Sequence, residues 1–483
     1  MTNRKLIWLF LSLAVALMAC NDDDSFSVSP SNLLTFSEDT IRFDTLFSTV
    51  PTATRTFWVY NKSGDGIRCS SVRLERGNQV GFRVNVDGIY LGQANGYQSS
   101  EIEVRNNDSI RVFVELTTPN NGQEKPLFVE DNLLFVLESG ALQKVNLNGH
   151  SWDADIREEI VVDDYQILAS EKPLVVRKGI HVKESGVLVI EAGTKVYFHE
   201  NAGILVDGQL MCKGTPEKNV VLRGDRLDNM FDYLPYDRVS GQWKGIHFSE
   251  NSYSNVLEYT DIHSATDAIV CDSSHLYKFK LMLDGCIIHN CRGTGITAFS
   301  SQIYVKNTQV SNTLKDCVAL YGGITNIIHC TLAQFYPFDA QRGAALLFSN
   351  HYLDKDYQLE HLYCANSLIT GYADDVLMGS RGGDGVAFNY NFDHCIIRTP
   401  EMTEGLERMK NIVWEEPSDT ISFGMKHFKE VDTEKLRYDF ELAAVSAAIN
   451  AGGTLDASHV QQVDRMGRRR DEKPDVGCYE YVQ

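Results

Sequence analysis

Apolar and polar residues alternate in short segments along the first third of the chain. Between about residues 25 and 150, segments such as 82–86 and 110–116 follow this pattern and are separated by clusters of Gly, Asn, Asp and Ser. The alternation is typical of half-buried β-strands that are joined by tight turns. The regular spacing of the strands predicts a small β-sandwich over residues 31–152.

From about residue 160 a repeat replaces the simple alternation. Six segments align on one apolar position; the residue five before it is apolar, the residue two before it is small and the residue two after it is polar. The aligned positions are Ile262, Ile288, Val310, Leu332, Leu368 and Ile397. Residues that stack on like residues at such regular intervals predict a solenoid over residues 160–410, with one coil of three short strands per repeat.

These patterns resemble known families. The repeat is similar to the right-handed parallel β-helix family, in which segments like 284–290 (Asp-Gly-Cys-Ile-Ile-His-Asn) are usual. The sandwich segment loosely resembles the immunoglobulin-like domains of exported bacterial proteins, because one strand ends in Asn61 and the segment closes with Leu-Asn-Gly at 147–149. The expected fold is therefore all-β, a right-handed parallel β-helix preceded by a small immunoglobulin-like β-sandwich.

The end of the chain carries a further resemblance. Segments 446–452, 464–469 and 474–480 are similar to the C-terminal signature of many exported β-helix proteins. The resemblance implies that residues 411–483 form a closing coil and cap, in which paired Asp and Arg residues hold the last coil.

The first twenty residues have the pattern of an export signal. Arg4 and Lys5 precede an apolar run, residues 6–17, that is short for a membrane span. The following Leu-Met-Ala-Cys resembles the lipobox of bacterial lipoproteins, which implies cleavage before Cys20 and its lipidation; an ordinary signal peptide with a chance cysteine is the alternative. The linker at 21–30 begins Asn-Asp-Asp-Asp, similar to the signal for surface display in Bacteroidetes. We therefore expect a lipid-anchored outer-membrane protein that faces outward, with a periplasm-facing anchor as the alternative.

Charge and cysteine placement narrow the possible partners. The formal net charge of −20 argues against broad nucleic-acid binding, which needs positive charge. Ten cysteines remain besides Cys20, and Cys286, Cys330 and Cys395 occupy the small position two before the aligned one. This placement predicts buried free thiols rather than disulfides or metal ligands.

We find no complete catalytic motif in the sequence. Polygalacturonases share an Asn-Thr-Asp, but here Asn307-Thr308 is followed by Gln309, and the Asp-Asp pair at 374–375 stands alone. The Arg-x-Pro-x-x-Arg pattern of lyases is missing too. We expect no cofactor or metal; calcium is possible in such a fold, but no motif supports it.

One outward stack contains groups that could carry chemistry. Five residues recur at fixed positions on successive repeats: Glu258, Asp284, Lys306, His263 and His289. Two acids, a lysine and two histidines could form an acid/base or metal site. The other interpretation is a solvated face with salt bridges between coils, which stabilise little.

Insertion lengths predict where a ligand would lie. Loops 271–280, 349–361 and 378–391 lengthen the same junction of different coils, so they should protrude from one edge around two short coils. The expected floor residues are Phe299, Tyr304, Tyr321 and Asn326. The expected wall residues are Tyr277, Tyr352, Asp354, Asp356, Tyr357, Arg381, Asp384 and Tyr390. Aromatic rings with a few polar groups suit a sugar chain, although the tyrosines could simply pack the loops down.

The leading hypothesis is a cell-surface lipoprotein whose β-helix binds a glycan or another extended ligand without catalysis. A polysaccharide lyase or glycoside hydrolase is the alternative, because the fold hosts such enzymes. A structural or adhesive protein without a glycan ligand is the third possibility.

Overall fold

A computed structural model describes residues 25–231 and 233–482, so the predicted export signal and Cys20 lie outside the described residues. The described part of the chain divides into two compact units, one that ends at Asp153 and one that begins at Ala154. The helices of the described part are short 3-10 turns: Gln93–Asn95, Tyr236–Arg238, Leu406–Arg408 and Gly424–His427. In this part of the chain, no helix has the length and apolar character needed to span a membrane.

The first unit is built from two sheets that share one apolar core. Its strands are β1 (Leu34–Phe36), β2 (Thr40–Phe47), β3 (Arg55–Asn61), β4 (Ile67–Leu74), β5 (Phe82–Val86), β6 (Ile89–Tyr90), β7 (Gln98–Ser99), β8 (Ile102–Val104), β9 (Ser109–Leu116), β10 (Leu127–Leu137) and β11 (Leu142–Trp152). One sheet has the order β1-β3-β9-β5-β6, and the other β2-β11-β10-β4-β7 with β8 on β4. Alternate residues such as Phe57, Phe82 and Phe135 are buried between them, as the apolar alternation requires.

The second unit is a parallel β-helix. Its first coils contain β12 (Asp155–Val162), β13 (Tyr165–Leu168), β14 (Leu174–Val182), β15 (Val187–Glu191), β16 (Lys195–Phe198), β17 (Ile204–Val206), β18 (Gln209–Lys213), β19 (Val220–Gly224), β20 (Asn229–Phe231), β21 (Leu234–Pro235) and β22 (Ile246–Phe248). β20 and β21 form a small hairpin in an insertion, and the others pair in parallel from coil to coil.

The following coils have a first, a second and a third strand. The first strands are β23 (Asn255–Glu258), β26 (Leu281–Asp284), β29 (Gln302–Lys306), β32 (Gly323–Ile328), β37 (Leu359–Ala365), β40 (Phe388–Asp393) and β42 (Met409–Lys410). The second strands are β24 (Thr260–His263), β27 (Ile287–Cys291), β30 (Gln309–Thr313), β33 (Thr331–Gln334), β38 (Leu368–Gly371), β41 (Ile396–Ile397) and β43 (Val413–Trp414). The third strands are β25 (Ile269–Cys271), β28 (Ile296–Phe299), β31 (Val318–Tyr321), β34 (Leu346–Ser349) and β39 (Leu377–Ser380), and a loop hairpin adds β35 (His351–Tyr352) and β36 (Lys355–Asp356).

A sharp bend separates the first strand of each coil from the second. The residue at the bend has a positive φ in each coil: Tyr259 (40°), Gly285 (66°), Asn307 (44°), His329 (51°), Asn366 (47°) and His394 (49°). The small residue that follows closes the bend: the Thr308 hydroxyl donates to the carbonyl oxygen of Lys306 (2.7 Å), and the Ser367 hydroxyl to that of Ala365 (2.9 Å). These hydrogen bonds explain why a small residue with a hydroxyl or thiol group recurs at this position.

One position of the predicted alignment is wrong. The pairing places Ile369, not Leu368, beside Leu332 and Ile397 in the buried ladder. Leu368 pairs with Thr331 and lies on the outer side, where the C-terminal segment covers it. Because residues on both sides of this strand are buried, apolar character alone could not fix the register.

The C-terminal segment does not simply close the end of the helix. β42 and β43 extend the coils, but residues 423–482 fold back against the outer side of the second strands, and we call them the side cap. It includes the antiparallel pair β44 (Phe428–Asp432) and β45 (Arg437–Leu442). Phe335 and Leu368 of the helix pack in one buried cluster with Phe440 of the side cap.

Hydrogen bonds and an ion pair hold the side cap in place. The Tyr479 hydroxyl donates to Gln309 Oε1 (2.7 Å), and the buried Arg470 guanidinium donates to Asn307 Oδ1 (3.0 Å) and to Glu480 (2.5 Å). Asp464 accepts the backbone N–H of Glu480 (2.9 Å). Arg470 therefore fastens the side cap to the helix, whereas Asp464 and Glu480 hold segments of the cap to one another.

The described cysteines are buried free thiols, as the repeat predicts. Cys286, Cys330 and Cys395 occupy the bend position, and each thiol points to a backbone carbonyl oxygen. Burial raises the pKa of Cys286 to about 12, so this thiol is protonated at neutral pH.

Candidate functional site

Alternate side chains of the second strands lie on the outside of the helix, and on two neighbouring coils they are ionisable. Ile262 and Ile288 face the core, so Asp261, His263 and His289 face outward. Parallel pairing places His263 directly beside His289. Their rings stack with centroids 4.7 Å apart and planes at 27°.

Asp261 lies between the two histidines. Its Oδ1 is 2.8 Å from His263 Nδ1 and 3.3 Å from His289 Nε2. The side chains of Asp261 and His289 are 26% and 23% exposed, whereas that of His263 is 6% exposed. We call these three residues the Asp-His-His cluster; it is half-buried but reachable from solvent.

A second carboxylate reaches the cluster from the insertion between β19 and β22. Asp237 Oδ1 lies 3.2 Å from His263 Nε2, and the Arg223 guanidinium forms an ion pair with the same oxygen. Trp243, which is buried in the same insertion, donates from Nε1 to the backbone carbonyl oxygen of His263 (2.8 Å). His263 is therefore held by contacts at both ring nitrogens and at its backbone.

The two carboxylates and the His263 imidazole each stabilise the charged form of the other. Burial alone would raise the pKa of Asp261 and of Asp237, but contacts with His263 hold both well below the ordinary range. Burial alone would lower the pKa of His263, but the two carboxylates raise it to about 9. At neutral pH His263 is therefore an imidazolium ion between two carboxylates, Asp261 and Asp237.

The side cap forms the opposite wall of a cleft over this cluster. The cleft has a volume of about 500 Å³. Its helix wall is lined by Asp237, Arg238, Asp261, Ile287, His289, Asn290, Gln309, Ser311 and Asn312, and its cap wall by Glu430, Leu436, Arg437, Tyr438, Asp439, Phe440 and Tyr479. Carboxylates, amides and aromatic rings thus converge on one concave surface.

The five residues that the sequence suggested for an acid/base or metal site do not come together. Glu258, Asp284 and Lys306 align with one another on the first strands, and the positive-φ bend turns the chain before the strands that carry the histidines. Asp284 accepts a hydrogen bond from Asn307 (3.3 Å), and burial raises its pKa. Only His263 and His289 belong to the cluster.

The three long loops leave the helix at one corner. Loops 271–280, 349–361 and 378–391 each join a third strand to the next first strand. Four of the predicted rings, which we call the aromatic edge, gather there: Phe299, Tyr321, Tyr352 and Tyr357. Phe299 stacks on Tyr321 (5.0 Å), and Tyr352 lies edge-on to both while remaining 40% exposed.

The other residues predicted for this surface are dispersed. Tyr390 packs on the buried Phe348 (5.1 Å), and Tyr304 lies edge-on to Phe279 (6.3 Å). Five of the predicted residues are exposed in the loops: Tyr277, Asp354, Asp356, Arg381 and Asp384. Asn326, in contrast, is buried. The aromatic edge is therefore smaller than the predicted surface.

Sequence reasoning missed two carboxylates of the cleft. Asp261 had a usable signal, because an Asp-x-His segment on a strand places both side chains on one face. Asp237 had none, since it lies in an insertion outside the repeat. The cap wall had no signal either, because it folds back from about 170 residues further along the chain.

The comparison with protein-family models agrees with the β-helix of the second unit. The family model described as "Right handed beta helix region" matches residues 156–336. No curated protein matches the chain in sequence.

Several solved structures are similar at low identity. Pectate lyase Pel9A is 11% identical, with 68% of this chain and 88% of that chain covered and a TM-score of 0.30. The catalytic unit of a GH87 α-1,3-glucanase from Streptomyces thermodiastaticus is 10% identical, with 75% of this chain and 90% of that chain covered and a TM-score of 0.24. A family 123 glycoside hydrolase from Clostridium perfringens is 9% identical, with 28% of this chain and 31% of that chain covered and a TM-score of 0.19. This chain therefore spans about a third of that protein. The fold class predicted from the repeat is confirmed: the chain is an all-β protein that contains a right-handed parallel β-helix.

Proposed function

We propose that this protein binds a glycan chain in the cleft between the second strands and the side cap. The cleft offers amides and carboxylates for sugar hydroxyls, and Tyr438 provides a ring for the C–H face of a sugar. A hydroxyl-rich polymer presents both kinds of surface together.

The observation that carries the proposal is an incomplete hydrogen-bond set at Asn312. This side chain lines the cleft and is only 2% exposed, yet its Oδ1 has no hydrogen-bond partner among the described residues. A buried polar atom without a partner costs free energy, on the order of 1–3 kcal/mol. If Asn312 turned its Oδ1 toward the cleft on binding, a ligand hydroxyl that donates to this oxygen would recover that free energy.

The two carboxylates beside His263 fit binding better than acid catalysis of glycoside hydrolysis. An inverting hydrolase needs one carboxylic acid that keeps its proton until the leaving group takes it. Here the contacts with His263 lower the pKa of both Asp237 and Asp261. The two carboxylates beside His263 therefore accept hydrogen bonds at neutral pH and have no proton to deliver.

The proposal includes the location of the protein. The lipobox-like segment ending at Cys20 and the acidic linker after it support a lipid anchor on the outer face of the outer membrane. From there the cleft would meet polysaccharides outside the cell.

The aromatic edge is a second, separate surface that we propose for glycan binding. Tyr352 keeps part of its ring exposed above Phe299 and Tyr321. A sugar that crosses this corner would stack on Tyr352, whereas the rings beneath also hold the loop in place.

A glycan array, run beside assays for reducing ends and for unsaturated uronates, tests the proposed function. We expect the described residues 25–482, produced without the signal, to retain at least one class of polysaccharide and to release neither product. Product release would replace binding with catalysis. A folded protein that retains no polysaccharide on the array would refute glycan binding.

A further inference from the structure

We infer that Asp261, His263 and His289 bind one divalent transition-metal ion of the zinc type at the floor of the cleft. Among the described residues, this is the one group of three potential ligands whose donor atoms all lie within 4.8 Å of one another. The inference goes beyond glycan binding and does not depend on it, because the ligand atoms all come from the protein.

The distances within the cluster match a coordination shell. A tetrahedral zinc ion with bonds of roughly 2.0–2.1 Å places its ligand atoms roughly 3.3 Å apart. Asp261 Oδ1 is 3.3 Å from His289 Nε2 and 2.8 Å from His263 Nδ1. All three donor atoms lie within 4.8 Å of one another, so an ion can enter if the Asp261–His263 pair opens by about half an ångström and the two histidine nitrogens settle at the same spacing.

The surroundings supply the second layer of a metal site. A histidine that binds a metal through one nitrogen usually donates its other N–H to a carboxylate, which fixes the ring. With Nδ1 on the ion, His263 Nε2 would donate to Asp237, 3.2 Å away. Arg223 in turn holds Asp237, so both the ring and its partner are positioned before an ion arrives.

The arrangement leaves room for an exogenous ligand. Three protein ligands leave one position of a tetrahedral ion open, as in catalytic rather than structural zinc sites. Asp261, His289 and Asp237 line the cleft, so that position faces the cleft. An oxygen donor, such as water or a carboxylate or hydroxyl group of a bound molecule, is the chemical class that fits it.

Other histidine–aspartate pairs of the helix provide matched controls. His247 lies 2.9 Å from Asp272, and His181 lies 2.7 Å from Asp207. Each of these is a pair of one histidine and one carboxylate. If a single pair were sufficient for binding, these sites would bind ions as well.

Titration of the chelator-treated protein with Zn²⁺, without any glycan, tests the inference. Calorimetry should give one tight site per chain. His289→Gln should weaken binding about 100-fold, Asp237→Asn about 10-fold, and His247→Gln should leave it unchanged. Co²⁺ in place of Zn²⁺ should give the visible absorption of a four-coordinate ion in the wild-type protein and lose it in His289→Gln.

Thermal melting separates metal binding from folding. His289 is partly exposed, so His289→Gln should melt without metal at the wild-type temperature. Zn²⁺ should raise the melting temperature of the wild-type protein but not that of the variant. Should His289→Gln fail to fold, Asp237→Asn still reports on the site through its weaker binding. A folded wild-type protein that binds no ion, or equal affinity in wild-type protein, His289→Gln and Asp237→Asn, would overturn the inference.

Discussion

Replacing Val310 with aspartate tests the coil register most severely. Val310 is 0% exposed and pairs with Ile288 on one coil and Leu332 on the next. Loss of the valine removes about 1.5–3 kcal/mol of apolar burial. The new carboxylate would have aliphatic neighbours on both sides and would cost several kcal/mol more, or take up a proton. The sum is a large part of the roughly 5–15 kcal/mol that stabilises a typical domain.

Denaturant unfolding followed by circular dichroism measures this loss. Val310→Asp should lower the unfolding free energy of the second unit by more than about 4 kcal/mol, and by less at acidic pH, where the buried carboxyl is neutral. Thr297→Asp on the outer side of β28 is the control and should cost under about 0.5 kcal/mol. Equal, small losses in both variants would show that position 310 is not inside the helix.

Three further predictions concern the thiols, the anchor and the aromatic edge. Because burial raises the pKa of Cys286 to about 12, its thiol should react with a maleimide only after unfolding, and reaction in the native protein would contradict the inward position. Cys20→Ser should release the protein from membranes or leave it unprocessed, and a variant that is still processed and membrane-bound would rule out lipidation at this residue. Tyr352→Ala should weaken glycan binding with a nearly unchanged melting temperature; a lower melting temperature with unchanged binding would show that this ring only packs the loop.

The β-helix was predictable because stacking imposes a rule on every coil. An inward position must accept a like residue above and below, and this leaves a readable spacing from Ile288 to Val310 to Leu332. The rule failed at Leu368, where the side cap buries the outer side as well. A residue buried from outside has the same apolar character as one buried from inside, so a single sequence could not separate the two.

The candidate site was predictable only in part. His263 and His289 were selected because they recur at one position of the repeat. Their partners in the structure come from a different strand position, from an insertion and from the side cap. Contacts between residues so far apart in the chain leave no periodic signal, because they depend on how the segment folds back.

The most direct test of the proposed function measures how tightly cleft variants bind the best polysaccharide from the array. Asn312→Gly removes the unpaired amide without backbone strain, since Asn312 already has φ of 53°. Arg437→Ala changes the mouth of the cleft, and Lys426→Ala, on an exposed part of the side cap, is the control. Our account predicts that the first two variants bind about 10-fold or more weakly, since each loses a hydrogen bond worth roughly 1.5 kcal/mol, while the control binds like the wild-type protein. Wild-type affinity in all three variants would contradict binding in the cleft.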